Sequence, residues 1–355
     1  MVRLLDRYLA LAVIGGTLTV LAVLLAINAF VVFLAELEDL GQPHHGLSQA
    51  LMFVGLSLPK AAYEVFPVAV LLGALFGLGA LAANRELMVM RSAGMSVYRV
   101  ALAAGQGGVV LMVLCLLLGD LAIPPAEETA RDLRAAARSG GQVTTRVHGR
   151  LWLRDGPDYV NVERLPARDH AQGVRIYRFD GQTLVSTMHA RSAHYDDGGW
   201  QLYQAAETRL GADGTEVREY RRVHWQTSLS PALIGLFVVT PESLTMRGLH
   251  DYVGYLRAND LDSTDYEVAL WRKIVTPVSS LLMVFLAVPF VLGPLRSAGA
   301  GQRIVAGVLV GMTWYMANTL LVGSGQVWGM HPGLAAGIPA ALLALVAWVG
   351  MRRVA

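Results

Sequence analysis

The sequence predicts a membrane protein of mixed α and β structure, with six transmembrane helices and an outward-facing β-domain between helices 3 and 4. Three observations carry this expectation. The 355-residue chain is 54% hydrophobic and 16% charged, against about 25% charged residues in a soluble chain. Its mean hydropathy is +0.45. The apolar residues gather at both ends, whereas residues 125–230 are rich in Arg, Asp, Thr and Tyr. This composition excludes a disordered chain and an ordinary cytosolic enzyme. The net charge of +2 is too small to indicate a nucleic-acid partner.

A membrane-spanning helix needs about 20 mostly apolar residues. Six runs qualify: Leu9–Ala35, Ala61–Ala83, Val100–Ile123, Ile274–Leu292, Ile304–Val322 and Leu334–Val349. Arg3 and Arg7 precede the first run, as they would in a signal peptide. That run is too long, however, and no small-residue cleavage site closes it. Orientation follows from bases in short loops. Arg3, Arg7, Arg85, Arg91, Arg99, Arg296, Arg303, Arg352 and Arg353 all fall on one side of a six-span chain. The opposite short loops hold Glu36, Glu38, Asp39 and Lys60. Both termini are therefore expected in the cytoplasm, and the segment between spans three and four outside.

That outward segment reads as β-structure. Candidate strands are Gln142–His148, Leu151–Arg154, Tyr159–Arg164, Val174–Phe179, Leu184–Ala190, Trp200–Thr208 and Glu216–Thr227. They carry alternating apolar residues, and turn signals such as Asp155-Gly156-Pro157 and Asp180-Gly181 separate them. The spacing suggests a β-sandwich or jelly roll. An amphipathic stretch, GLHDYVGYLRAND, reads as a helix leading into span four. The chain thus divides into spans one to three over 1–123, the β-domain with its connecting helix over 124–265, and spans four to six over 266–355.

Several chemistries have no motif here. A nucleotide-binding P-loop needs a lysine after glycine, and the two lysines, Lys60 and Lys273, follow Pro59 and Arg272. HExxH, GxSxG and CxxC are absent. The single cysteine, Cys115, excludes an intrachain disulfide and sits in an apolar run, as a small buried hydrophobe would. His44-His45 is an adjacent pair in a loop, a weak candidate for a metal site. The β-domain histidines are scattered.

Four features remain, each with two readings. Residues 84–96, NRELMVMRSAGMS, form a short amphipathic helix between spans two and three. It either lies at the lipid interface as a link or plugs into a cytoplasmic partner. Lys60, Arg131, Arg134, Arg138, Arg272 and Lys273 gather at the outer boundary. They either contact an anionic lipid head group or pair with Glu64, Glu127, Glu128 and Asp132. Asp120 either lines a cavity or is hydrated at the interface. Gly73, Gly77, Gly79, Gly307 and Gly311 permit close helix approach, within the chain or to another subunit.

The residues also carry a family resemblance. LDRY at Leu5–Tyr8, FPVAVLLGALFGLGALAANRELMVMRSAG at Phe66–Gly94, GLHDYVGYL at Gly248–Leu256 and GPLRSAGAGQRIVAG at Gly293–Gly307 resemble the LptF/LptG lipopolysaccharide-export permeases of Gram-negative bacteria, the G-type most. The resemblance covers nearly the whole chain.

It implies a non-enzymatic permease subunit of an ABC exporter in the bacterial inner membrane, without a cofactor, serving outer-membrane biogenesis. Such a subunit extracts lipopolysaccharide and passes it to a periplasmic bridge. Its expected partners are an LptF-type permease, a cytoplasmic LptB-type ATPase dimer, an LptC-type single-span protein and a periplasmic LptA-type bridge. The outward domain becomes a periplasmic β-jellyroll. Residues 84–94 become the coupling helix, with Glu86 as the polar contact to the ATPase and Arg85, Leu87, Met90 and Arg91 around it. Lys60, Arg134 and Lys273 become a cationic rim for the substrate. Some relatives place lysines near the outer end of span one, where this chain has Leu34, Glu38 and Asp39, so no lipid contact is transferred there. Three alternatives stay open: an F-type permease, a lipoprotein-releasing permease and a non-transport periplasmic scaffold. The span-four entry favours the G-type, and the position of the outward domain disfavours the lipoprotein permease.

Overall fold

The structure, a computed structural model, describes residues 4–38, 46–138, 151–167, 169–196, 199–211, 214–227, 229, 231, 240–293, 299–328 and 330–354. Asp39, His44-His45 and the expected strand Gln142–His148 lie outside the described residues.

Six helices are long and apolar enough to cross a membrane. They include α1 (Leu4–Glu38) and α2 (Leu47–Ala83). A short α3 (Glu86–Ser92) precedes α4 (Val97–Leu117), which runs through a π turn at Leu118–Ala122 into α5 (Ile123–Arg138). After the β-domain come α6 (Met246–Ala258), α7 (Thr264–Leu292), α8 (Ala300–Val327) and α9 (Pro332–Val354). Five expected spans lie inside α1, α2, α7, α8 and α9, and the third runs from α4 through the π turn to the start of α5; the helical segments are longer than the expected spans. In hydrocarbon a spanning segment must bond its own backbone, and polar ends continue that ladder. The helix α2 even runs through Pro59 and Pro67.

The chain divides into two compact units. One holds the six long helices, through Thr129 and again from Thr264; the other is Ala130–Ser263. In the first unit, side chains from α1, α2, α3, α4, α7 and α9 form one apolar core that includes Leu9, Phe66, Leu87, Leu111, Cys115 and Met283. Glycines set the closest approaches. A Cβ on Gly73 would collide with the Thr17 backbone, and one on Gly77 with the Ala12 carbonyl. Gly79 leaves room for the Arg303 side chain, and Gly307 and Gly311 for Leu72 and Val68. These contacts lie within the chain, so the internal reading of the glycines accounts for them.

Two helices have little cover. The apolar windows of α1 and α8 are 6% and 11% buried, against 61% for α2. Both therefore present apolar surface to lipid or to another subunit.

The second unit carries a six-stranded antiparallel sheet in the order β1-β2-β3-β4-β5-β6. The strands are Leu151–Asp155, Asp158–Ala167, His170–Asp180, Thr183–Asp196, Gly199–Gly211 and Gly214–Trp225. The last six expected strands all appear. The first five are longer than expected because tight turns fix the register and the ladder then extends through polar pairs such as His170 with His194, while the last, Gly214–Trp225, is shifted by two residues. Every strand pairs with its sequence neighbours. The described strands form an up-and-down antiparallel meander, the sheet of the β-domain expected between spans three and four. Two-residue loops, Gly156-Pro157 and Gly181-Gln182, join neighbouring strands as antiparallel hairpins.

Alternation puts Leu153, Val160, Val162, Val174, Trp200, Leu202 and Trp225 on one apolar face, where all are buried. The Trp200 indole donates to the Leu229 carbonyl at 2.6 Å. On the other face Trp152 stacks on Tyr177, and Tyr159 meets Phe179 edge-on. Asp158 is buried and takes a bidentate pair from Arg178, both bonds 2.7 Å. That carboxylate holds the Arg178 pKa above its ordinary value. The amphipathic stretch forms α6, capped by Thr245 accepting from the Gly248 amide at 3.0 Å. Leu249, Tyr252, Val253 and Leu256 are buried. Gly156 N–H donates to Asn259 Oδ1 at 2.8 Å, and Tyr255 donates to the Arg154 carbonyl. Burial pushes the Tyr255 pKa up to about 12, so the hydroxyl stays a donor at neutral pH.

Gly77→Val is expected to separate α1 from α2. Overpacking of this kind costs about 1–3 kcal/mol, read as a lower midpoint of thermal unfolding for the detergent-solubilised protein.

Candidate functional site

The turn between α2 and α4 is built from strained and capped backbone. Arg85 has φ 62°, in the left-handed region, which costs a non-glycine residue about 1–2 kcal/mol. This reverses the chain after α2 and starts α3. Gly94, at φ 95°, ends the segment. The Ser96 hydroxyl then caps α4, accepting from the Arg99 amide at 3.2 Å.

The face that α3 presents differs from the expected one. Leu87 is 2% exposed and belongs to the helical core. Met90 packs partly against that core. Arg85 is exposed, and Glu86 and Arg91 are half-buried. Met88 and Val89, absent from the expected set, are the exposed apolar residues at 45% and 65%. The correction is geometric. A seven-residue helix at 3.6 residues per turn cannot turn Leu87, Met88, Val89 and Met90 to one side, and the core takes the first and half of the last.

Two polar contacts tie the same turn to the start of α1. Tyr8 Oη donates to Glu86 Oε2 at 2.8 Å. Arg99 Nη2 donates to Asp6 Oδ2 at 2.6 Å, where the Asp6 side chain is 3% exposed and that of Arg99 41%. Asp6 and Tyr8 were visible in the sequence only as part of LDRY. No spacing rule brings Tyr8 and Asp6 to residues 78 and 93 positions away.

The expected rim residues fall in different settings. Lys60 Nζ lies 3.4 Å from Glu127 Oε1, one of the acidic residues expected near it, and its side chain is 38% exposed. Arg134 is exposed on α5, in the second unit. Lys273 is 6% exposed. It donates to the Gly119 carbonyl at 2.6 Å and lies 4.0 Å from Asp120 Oδ1. Asp120 sits in the π turn, 40% exposed. Among the described residues, no group of three or more His, Cys, Asp or Glu side chains could hold a metal ion.

Fold and site together define a multi-span membrane protein with a separate β-sheet unit and a short helix bared between its second and third spans. The family described as lipopolysaccharide export system permease LptF/LptG matches residues 7–353. The lipopolysaccharide export system permease protein LptG of Haemophilus influenzae is 35% identical over 351 residues, covering 98% of each chain. Its namesake in Escherichia coli K12 is 33% identical over 355 residues, again covering 98% of each. The chain belongs to the LptF/LptG family.

Arg99→Ala is expected to destabilise the protein more than Asp6→Asn does. Loss of the guanidinium strands a buried carboxylate, at about 3–5 kcal/mol, whereas a freed Arg99 can rehydrate. Unfolding midpoints of the two variants in one detergent check the order.

Proposed function

We propose that the chain is the G-type permease subunit of a lipopolysaccharide exporter in the inner membrane. Its partners are an F-type permease, a cytoplasmic LptB-type ATPase dimer, an LptC-type single-span protein and a periplasmic LptA-type bridge. The chain has no P-loop, so a separate subunit hydrolyses ATP. The bias of bases among the short loops supports a cytoplasmic side for both termini and α3 and a periplasmic side for the β-sheet unit. The resemblance assigned the match to the G-type, and both curated relatives carry that name.

The observation that supports a coupling role for α3 is the Tyr8–Glu86 bond. It joins α3 to α1, the span with least cover in this chain. A push on α3 therefore reaches α1 directly. Arg85, Glu86 and Arg91 supply the polar contacts to the ATPase, with Met88 and Val89 filling its groove. Leu87 and Met90 anchor the helix from behind. Asp6–Arg99 ties α4 to the same end of α1, so the three elements move together.

Closure of the ATPase dimer would move α1 against the partner permease and narrow the cavity between them. Only a difference in affinity between open and narrowed cavity moves a lipid. The work is large, since exposing an acyl chain costs about 0.8 kcal/mol per methylene. Sheltering the chains in that cavity and along the β-sheet unit would lower it. Lys60 and Arg134 are the proposed head-group contacts.

Glu86→Lys is expected to abolish copurification of the ATPase with the permease complex; unchanged copurification and lipid release would overturn the coupling assignment. Lys60→Glu combined with Arg134→Glu is expected to reduce photocrosslinking of lipopolysaccharide to the complex. An unaltered crosslink yield would remove both residues from the rim.

A further inference from the structure

The π turn between α4 and α5 leaves one backbone carbonyl without a helical donor. In an α-helix the Ile123 amide would bond the Gly119 carbonyl. Here it bonds the Leu118 carbonyl instead, one residue further back. In that wider register the donor for Gly119 would be residue 124, which is proline and has no N–H. The Gly119 carbonyl is thus orphaned by the chain's own sequence. A buried carbonyl without a donor is strongly disfavoured, more so where no water can reach it.

Lys273 supplies the donor, at 2.6 Å from α7. The neighbouring contacts fit this arrangement. Gly119 carries no side chain because the Tyr63 ring of α2 fills that space; an added Cβ would lie 2.8 Å from Tyr63 Cε2. The Tyr63 hydroxyl donates to the Arg272 carbonyl, next to Lys273, at 3.4 Å. Asp120, within 4.0 Å, balances the ammonium charge. One buried cation therefore closes a joint of α2, the π turn and α7.

We propose that Lys273 is a positioning residue. Its ammonium caps the carbonyl that Pro124 orphans, and so fixes the third span against the second and fourth where α5 departs. Its charge is engaged inside the protein, and cargo phosphate is not its ligand. The consequence for transport rests on the permease reading; the capping itself does not.

The test is a double-mutant cycle on the full exporter complex, with Lys273→Met, Lys273→Arg, Pro124→Ala and the Lys273→Met/Pro124→Ala pair. Alanine at 124 restores an N–H, and in either helical register the Gly119 carbonyl then finds a backbone donor. Lys273→Met is expected to lower the unfolding midpoint by several degrees and to slow lipopolysaccharide release several-fold. Lys273→Arg should retain most of both. In the Pro124→Ala background the Lys273→Met losses should shrink to less than half. Losses that stay the same there would overturn the proposal, because a cargo-binding lysine cannot be rescued by a backbone N–H.

A second measurement stands if Pro124→Ala fails to fold. Lys60 and Lys273 are the only lysines, so acylation of the native complex compares them directly by peptide mass. Lys273 is expected to react several-fold more slowly than Lys60, and equal rates would overturn the proposal. A wild-type complex that released no lipopolysaccharide would refute the permease reading and leave the unfolding cycle intact.

Discussion

Inside a bilayer no water completes a hydrogen bond, and this constraint shapes every helical feature of the protein. It extends the helices beyond their apolar runs, because ending a ladder in hydrocarbon strands four donors or acceptors. It carries α2 through two prolines. It also explains why the break at Pro124-Pro125 is accompanied by a π turn and a buried lysine rather than a loop. Helices that satisfy their own backbones then associate through shape. Gly73 and Gly77 let α1 and α2 meet backbone to backbone.

The same constraint separates a stable scaffold from movable parts. The helices α2, α4 and α7 bury about half or more of their apolar windows, while α1 and α8 bury little. The lightly covered α1 is the helix to which α3 is bonded, through Tyr8 and Glu86. That helix is held to the chain along one face, where Gly73 and Gly77 of α2 meet it, and leaves its remaining apolar surface open. The polar ties Asp6–Arg99 and Tyr8–Glu86 give a motion at α3 a definite route into that helix.

Much of the fold was legible in the residues. Spans were readable because a run of about 20 apolar residues has few alternatives, and strands because Asp-Gly turns punctuate an alternating pattern. Their strand order was not: a sandwich and a meander share the same local pattern, and only the pairing of Leu151 with Val162 and its successors separates them. In the site, the short helix was readable from NRELMVMRSAG, but its exposed face was not. Leu87 and Met88 are adjacent and equally apolar, and the packing of α2 and α4 decides which one is covered.

The sequence by itself determined the membrane class, the number of spans, the β-character of the intervening unit and the absence of a P-loop, since each follows from local composition and spacing. Tertiary structure alone decided what the charged residues do. Lys60 and Lys273 look equivalent as lone bases beside an apolar run, yet one pairs with a half-exposed glutamate and the other is buried on a carbonyl. The reason is that a charge takes its role from the groups brought within a few ångströms of it, and here those groups come from helices far apart in the chain.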